Sequence, residues 1–175
     1  MTLNTTINKK TNSKSDDFQT PAYVWADIEQ YLPKNDTIYV PFYLNGEIKQ
    51  AYLDLGCKAV IHEDVDFFKN DFKYDFVIDN PPFSKKKQIL SKLKTDGTPF
   101  ILLLPPSVLH TKYFREMFKN DTDLQIIIPK ARIHYISKTQ NGDRPANCPF
   151  DTIYLCWKMK LPREINWIDE ATPTK

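Results

Sequence analysis

The chain has 175 residues, of which 41% are hydrophobic, 13% aromatic and 26% charged, with a formal net charge of +2. This composition predicts one globular domain, and a charge so close to zero does not by itself indicate a nucleic-acid partner. No run approaches the roughly 18 apolar residues of a membrane span, and the first residues lack the apolar core of a signal peptide. We therefore expect an intracellular, non-secreted protein that does not contact membranes.

The cysteines and histidines are scattered without the spacing of a zinc or redox motif. We expect the three cysteines, Cys57, Cys148 and Cys156, to be reduced thiols. No metal site is predicted. The histidines are expected to be ordinary core or surface residues: His62, His110 and His134.

The composition changes at both ends of the chain. Residues 1–16 are polar and rich in Thr, Asn, Lys and Ser, which predicts a disordered arm. Residues 17–160 carry the apolar segments expected of a single domain. Residues 161–175 are expected to form a loosely packed C-terminal tail.

Apolar runs bounded by turn residues alternate with segments of helical periodicity from residue 20 onward. Thr20 and Pro21 predict the first helix start, as N-cap and first helical residue, and Pro33 predicts its end. Strands that alternate with helices are typical of an α/β fold. Further helices are predicted over residues 47–55, 84–93 and 107–119. Strands are predicted over residues 37–40, 59–62, 74–78, 100–104, 124–128 and 152–159.

The segment Asn80-Pro81-Pro82-Phe83 follows the third predicted strand and carries the residues of greatest chemical interest. The two prolines fix φ and remove two backbone donors, so the strand cannot continue here. Ser84 is the expected N-cap of the following helix. A strand, a rigid loop and a helix in succession present a site at the carboxyl end of a strand.

This loop suits methyl transfer to an amino nitrogen. The side-chain oxygen of Asn80 and the carbonyl of Pro81 can accept hydrogen bonds from an exocyclic NH2 group, while Phe83 stacks on a planar base or amide. The segment resembles the catalytic motif of the S-adenosylmethionine-dependent amino-methyltransferases, which act on adenine N6, cytosine N4 or the glutamine side-chain amide. The resemblance implies that all four residues, Asn80, Pro81, Pro82 and Phe83, are catalytic. The alternative is a Pro-rich turn without chemical meaning.

The resemblance also implies a Rossmann-like methyltransferase fold. This fold is a three-layer sandwich with a mostly parallel sheet and an antiparallel C-terminal hairpin. Only about a dozen residues separate the second predicted strand from the third, whereas a βαβ unit takes about 30 residues. The usual third edge strand is therefore expected to be missing, which leaves a sheet of about six strands.

The cofactor implied by the resemblance is S-adenosylmethionine, bound by the loop after the first strand. In the family this loop reads acidic-Pro-Phe-x-Gly-x-Gly, which Pro41, Phe42 and Gly46 match. Val40 stands in place of the carboxylate that holds the methionine ammonium, and Leu44 in place of the first glycine. Another carboxylate would have to supply the charge, and the candidates are Asp79 and Glu47.

Four more residues are expected near the cofactor. A carboxylate after the second strand is where nucleotide-binding α/β folds hold ribose hydroxyls, so Asp64 is the first choice and Glu63 the second. Asp66 precedes two phenylalanines and resembles the family's adenine-side element. Phe18 and Thr20 resemble residues that close over the cofactor in small adenine methyltransferases. Plain packing and a solvated acidic turn are the alternatives.

Two basic regions are the expected nucleic-acid contacts. Lys85, Lys86 and Lys87 flank the Asn-Pro-Pro-Phe segment, and the irregular region 129–149 carries Lys130, Arg132 and Arg144. A solvated helix face is the alternative for the lysine cluster. The chain leaves no room for a separate target-recognition domain. Either specificity is low, or a protein partner supplies it, or the target base is already flipped or single-stranded.

The sequence thus predicts an S-adenosylmethionine-dependent methyltransferase with adenine N6 in DNA or RNA as the favoured acceptor. The chain is similar in size to compact adenine methyltransferases of viruses and phages. Two alternatives stay open. One is a catalytically inactive methyltransferase fold that binds nucleic acid or a partner, and the other is a protein glutamine methyltransferase.

Overall fold

The computed structural model describes residues 18–43, 46–137 and 150–169. Within these residues the α-helices are α1 (Ala22–Ala26), α2 (Ile48–Asp54), α3 (Lys86–Asp96) and α4 (Lys112–Phe118). The strands are β1 (Phe18–Gln19), β2 (Thr37–Tyr39), β3 (Ala59–Ile61), β4 (Phe76–Asp79), β5 (Phe100–Leu104), β6 (Leu124–Ile128), β7 (Ile136–Ser137), β8 (Ile153–Trp157) and β9 (Ile165–Trp167). Short 3-10 turns lie at Glu29–Tyr31, Phe83–Lys85 and Pro106–His110.

Seven strands form the main sheet in the order β3-β2-β4-β5-β8-β6-β9. The first four strands of this order pair in parallel. β8 runs antiparallel to both β5 and β6, and β9 pairs in parallel with β6. A separate two-stranded sheet joins β1 to β7 and ties the chain before α1 to the chain after β6. The protein is therefore an α/β protein whose main sheet, in the described residues, is mostly parallel with two antiparallel pairs, and whose small second sheet is one antiparallel pair.

The central strand β5 has apolar side chains on both of its faces, and helices cover both faces of the sheet there. All five of its residues are buried. Ile101 and Leu103 join the apolar cluster that includes α1 and α2, while Phe100, Leu102 and Leu104 join the cluster that includes α3 and α4. Successive side chains of a strand point to opposite faces, so a continuous apolar run is stable only where both faces are covered.

The predicted α/β class of the fold is confirmed, but the number of strands in the sheet differs from the prediction. An antiparallel pair, β6 with β8, follows the parallel part, and no strand lies between β3 and β4 in the described chain. The sheet has seven strands rather than about six because β9 joins its far edge. Part of the segment 161–175, expected to be a loosely packed tail, is thus a sheet strand. Residues 1–16, expected to be a disordered arm, lie outside the described residues.

Two expected helix caps are wrong. The residue before α1 is Pro21 in an extended conformation without a side-chain cap, and Thr20 instead makes a tertiary contact described below. Ser84 lies inside a 3-10 turn, and α3 begins two residues later after Lys85. A 3-10 turn also occupies the first half of the helix expected over residues 107–119, so that Thr111 caps the shorter α4.

We expect Tyr154→Phe to lower the free energy of unfolding by about 1–2 kcal/mol, because it leaves a buried carbonyl without its donor. The Tyr154 hydroxyl donates to the Val24 carbonyl at 2.7 Å and so links β8 to α1. Urea denaturation monitored by circular dichroism measures the loss. Tyr39→Phe is the matched control, since the buried Tyr39 hydroxyl has no partner among the described residues. Equal losses in both variants would contradict the prediction.

Candidate active-site cleft

A cleft opens where the strand order of the sheet reverses. From β2 the chain moves to β3 on one side and then crosses back to β4 on the other. In open α/β sheets, ligands bind outside the carboxyl ends of the strands at such a switch point. The cleft has an empty volume of about 360 Å³, counted out to its open mouth. It is lined by Gln19, Thr20, Trp25, Phe42, Ile48, His62, Asp79 and Asn80.

Asp79 is the last residue of β4, and its side chain links the loop after β2 to the loop after β4. Its side chain is only 6% exposed. One carboxyl oxygen accepts a hydrogen bond from the Phe42 backbone N–H and the other from the Asn80 backbone N–H, both at 2.7 Å. Burial raises the pKa of Asp79 to about 8, and the two N–H donors act in the opposite direction. The loop after β2 and the loop after β4 are therefore held together by one buried carboxyl.

The Asn80 side chain is oriented by Thr20. Its amide nitrogen donates to the Thr20 hydroxyl at 3.0 Å. Thr20 is itself buried and directly follows β1, whose pairing with β7 fixes its position. The Asn80 side-chain oxygen is also buried, yet no donor among the described residues bonds to it. A buried acceptor without a partner costs free energy, which makes it a candidate ligand contact.

His62 and Trp25 line the cleft although the sequence analysis did not assign them to a site. His62 Nδ1 lies 2.7 Å from the Val40 carbonyl, which requires a proton on Nδ1. Burial lowers the pKa of His62, so the ring is neutral and Nε2 is an acceptor. Neither His62 Nε2 nor Trp25 Nε1 has a partner among the described residues.

The position of His62 in the sequence indicates a residue near a ligand-binding edge of the sheet, whereas the position of Trp25 does not. His62 comes directly after β3, where a ribose-binding carboxylate was expected, so its place at the end of a strand was visible in the sequence. Trp25 reads as one member of the apolar stripe of α1 and is fully buried. Nothing in its sequence context distinguishes it from a core residue.

The loop after β2 lies beside the cleft as expected, but it does not contribute a carboxylate. Val40 and Pro41 are buried, and Phe42 lines the cleft. Gly46 has φ of +81°, and a Cβ atom there would lie 2.7 Å from the Tyr43 hydroxyl, so glycine is required. Leu44, which replaces the family's first glycine, lies outside the described residues.

Phe83 is packed rather than presented to the cleft. Phe83 is 8% exposed. The centroid of its ring lies 4.8 Å from that of the Phe150 ring, and the two ring planes make an angle of 70°. Phe150 also contacts Phe18 and Tyr135, at 5.7 and 5.9 Å. Phe18, an expected cofactor contact, thus belongs to an aromatic cluster that covers Phe83. Of the other two motif residues, Pro81 is buried and Pro82 is half-buried.

The acidic residues after β3 lie outside the lining of the cleft. Asp64 is exposed, and Asp66 accepts a hydrogen bond from the Phe68 backbone N–H at 2.8 Å, which closes a local turn. Glu63 is 3.8 Å from Lys49 in an exposed ion pair. The structure therefore brings Thr20, Phe42, Asp79 and Asn80 together and leaves Asp64 and Asp66 apart from them.

The basic residues expected to contact nucleic acid have differing surroundings. Lys86 donates to the Phe83 carbonyl at 3.1 Å, and Lys87 is exposed near the Tyr113 ring. Lys130 pairs with Asp27 at 2.6 Å and Arg132 with Asp151 at 3.2 Å. Lys85 is half-buried in the 3-10 turn. Arg144 lies outside the described residues.

No three His, Cys, Asp or Glu side chains in residues 18–43, 46–137 and 150–169 come together as a metal site. Within these ranges no helix is long and apolar enough to cross a membrane. Cys57 and Cys156 are buried free thiols, and Cys148 lies outside the described residues.

No protein-family model and no curated protein matches this chain. The chemistry of the cleft is therefore inferred from its own residues and geometry.

We expect the free energy of unfolding of the protein to fall, relative to that of Asp79→Asn, as the pH rises from about 4 to about 8. The folded-state pKa of Asp79 is raised above that of the unfolded chain, so in this window the folded protein keeps a proton that the unfolded chain has lost. The relative loss is about 1 kcal/mol per pH unit. Urea titrations of both proteins at several pH values measure it. Parallel pH profiles would show instead that Asp79 is ionised throughout.

Proposed function

We propose that this protein is an S-adenosylmethionine-dependent methyltransferase that acts on an amino nitrogen, with adenine N6 in DNA or RNA as the favoured acceptor. The observation that carries the proposal is the Asn80 side-chain oxygen, a buried acceptor at the cleft with no donor among the described residues. This is the atom that the Asn-Pro-Pro-Phe motif uses to receive an N–H of the acceptor amine. An exocyclic NH2 group supplies the missing donor.

The finer fold assignment, a Rossmann-like methyltransferase sandwich, is part of the same proposal. Two features support it. The motif lies at the switch point of the sheet, directly after β4. The described chain also has an antiparallel pair after the parallel part, as the resemblance implies, whereas the absence of a strand between β3 and β4 agrees with the short spacing there.

The residues around the cleft fit a cationic cofactor. Val40 cannot hold an ammonium group, but the buried carboxyl of Asp79 lines the same cleft and makes no ion pair with any described cation. A cation that enters the cleft would favour the ionised form of Asp79 and lower its pKa again. Asp79, Phe42 and Gly46 would hold the cofactor, which when bound supplies an electrophilic methyl group.

The chain's own groups would act mainly by positioning. Thr20 accepts one N–H of the Asn80 amide and so fixes the orientation of the amide group, whose oxygen can then accept an N–H of the methyl acceptor. That hydrogen bond would direct the lone pair of the acceptor nitrogen into the cleft. Pro81 and Pro82 restrict the loop, so little entropy is lost when the acceptor binds.

A specific observation favours one second candidate, an inactive methyltransferase fold that binds nucleic acid or a partner. Val40 is fully buried among apolar residues, so the loop after β2 carries no carboxylate at the position where the resembled family binds the methionine ammonium. Calorimetric titration with S-adenosylmethionine separates the two functions. Heat of binding supports the enzyme, and no heat at millimolar cofactor supports the inactive fold.

We expect Asn80→Ala to reduce methyl transfer at least about 100-fold while cofactor affinity changes little, since the lost contact is made to the acceptor. Transfer of tritiated methyl from labelled cofactor to DNA, RNA and protein substrates measures both the activity and the acceptor. Gln88→Ala, which removes an exposed amide on α3, is the matched control. Transfer of label to protein glutamine instead of nucleic acid would show that the acceptor is a glutamine side chain and not adenine. Full activity of Asn80→Ala would overturn the proposed role.

We expect Thr20→Val to lower kcat about tenfold and to leave cofactor affinity nearly unchanged, because the Asn80 amide loses the hydroxyl that orients it. Steady-state kinetics of methyl transfer together with calorimetry of cofactor binding measure the two quantities. Thr20→Ser keeps the hydroxyl and should retain most of the activity. A variant Thr20→Val with unchanged kcat would show that Asn80 is oriented by other contacts.

A further inference from the structure

The outer edge of β9 is unpaired among the described residues. On its inner side, the Glu164 carbonyl accepts from the Ile126 N–H at 2.8 Å, and the Ile168 N–H donates to the Ile128 carbonyl at 3.1 Å. Backbone groups alternate direction along a strand, so the N–H and C=O groups of Ile165 and Trp167 point away from the sheet. Such an edge is ready to pair with another strand.

The side chains of β9 are also unusually exposed for a sheet strand. Trp167 is 63% exposed and Ile165 is 50% exposed, whereas Asn166 between them is 4% exposed. The Asn166 amide donates to the Arg163 carbonyl at 2.8 Å, which holds the strand in place. Two large apolar side chains therefore stand on one face of an open edge.

We propose that a second copy of this chain pairs with this edge, β9 against β9, antiparallel about a twofold axis at Asn166. In this register Ile165 lies opposite Trp167 of the second copy, and their outward backbone groups can exchange hydrogen bonds. In the same register Arg163 and Asp169, which flank β9, come opposite each other, and both are exposed and opposite in charge. Because the axis repeats each pair, the strand is self-complementary in apolar and in charged contacts.

The charges select this register over its neighbours. A shift of two residues in one direction places Ile165 opposite itself and Arg163 opposite Trp167, so both charges lose their partners. The opposite shift places Asp169 opposite Ile165. Of these three registers, only the twofold at Asn166 pairs Arg163 with Asp169, and the other two leave both charges without an opposite charge across the axis.

The test is the mass of the full chain in solution, measured by sedimentation equilibrium up to high micromolar concentration. We expect the mass to rise from the monomer value of 20.5 kDa towards twice that value. Arg163→Asp alone and Asp169→Arg alone should each weaken association at least about tenfold, and the double variant should restore it. Circular dichroism verifies that each variant is folded.

The fluorescence of Trp167 provides a second readout. Trp25 and Trp157 are buried at 0% and 4% exposure, so Trp167 alone among the tryptophans is open to solvent. Association should shift the emission maximum to shorter wavelength, and Trp167→Phe should remove the shift. A chain that stays monomeric at every concentration overturns the proposal. Dimers that ignore the charge variants also overturn it, because they must form through another surface.

Discussion

One buried carboxyl holds the candidate site together. Asp79 ends β4 and receives the backbone N–H groups of both Phe42 and Asn80, so two loops from neighbouring strands depend on a single side chain. Each short N–H bond compensates in part for the cost of burying the carboxyl. Without these bonds, the loop after β2 and the Asn80 loop would have no polar link at this point. The position of Asn80 relative to the cleft therefore follows from how Asp79 is bound.

The parts of the fold that could be predicted from sequence are those decided by burial alone. β5 was predicted with its bounds because its continuous apolar run needs two covered faces, and all five of its residues are buried. β6 also has its predicted bounds, although Ile127 is the one buried residue among its five. The caps failed because tertiary contacts override local preference, as the pairing of Thr20 with Asn80 shows. β9 was missed because its one buried residue is Asn166, whose amide is satisfied by backbone carbonyls, and its exposed residues are the apolar ones. A buried asparagine between exposed apolar residues does not match the pattern of a strand, so this segment was predicted to be a tail.

The candidate site, like the fold, has residues that the sequence predicts and residues that only the folded structure places. The segment 80–83 could be found because a proline-restricted polar loop after a strand is a local pattern, and local patterns are visible in a sequence. His62 and Trp25 could not be placed, since only the folded chain brings them to the same cleft. Asp64 follows a strand too, but the turn after β3 leaves it exposed and outside the cleft. The end of a strand thus predicts which edge of the sheet a residue reaches, but not whether the residue faces the cleft.

The two sides of the site differ in how ready they are for a ligand. The Asp79 side is formed, with its hydrogen bonds in place. On the other side Phe83 is covered by Phe150, which also contacts Phe18 and Tyr135. If an acceptor stacks on Phe83, as the proposed function requires, it would first have to separate Phe83 from Phe150. A ligand can shift that equilibrium only by its greater affinity for the open state. A planar base, with a large stacking face and an NH2 group for Asn80, offsets this cost better than a side-chain amide, which has less surface to stack. Under the proposed function, this cost would therefore favour a base over a side-chain amide as the acceptor.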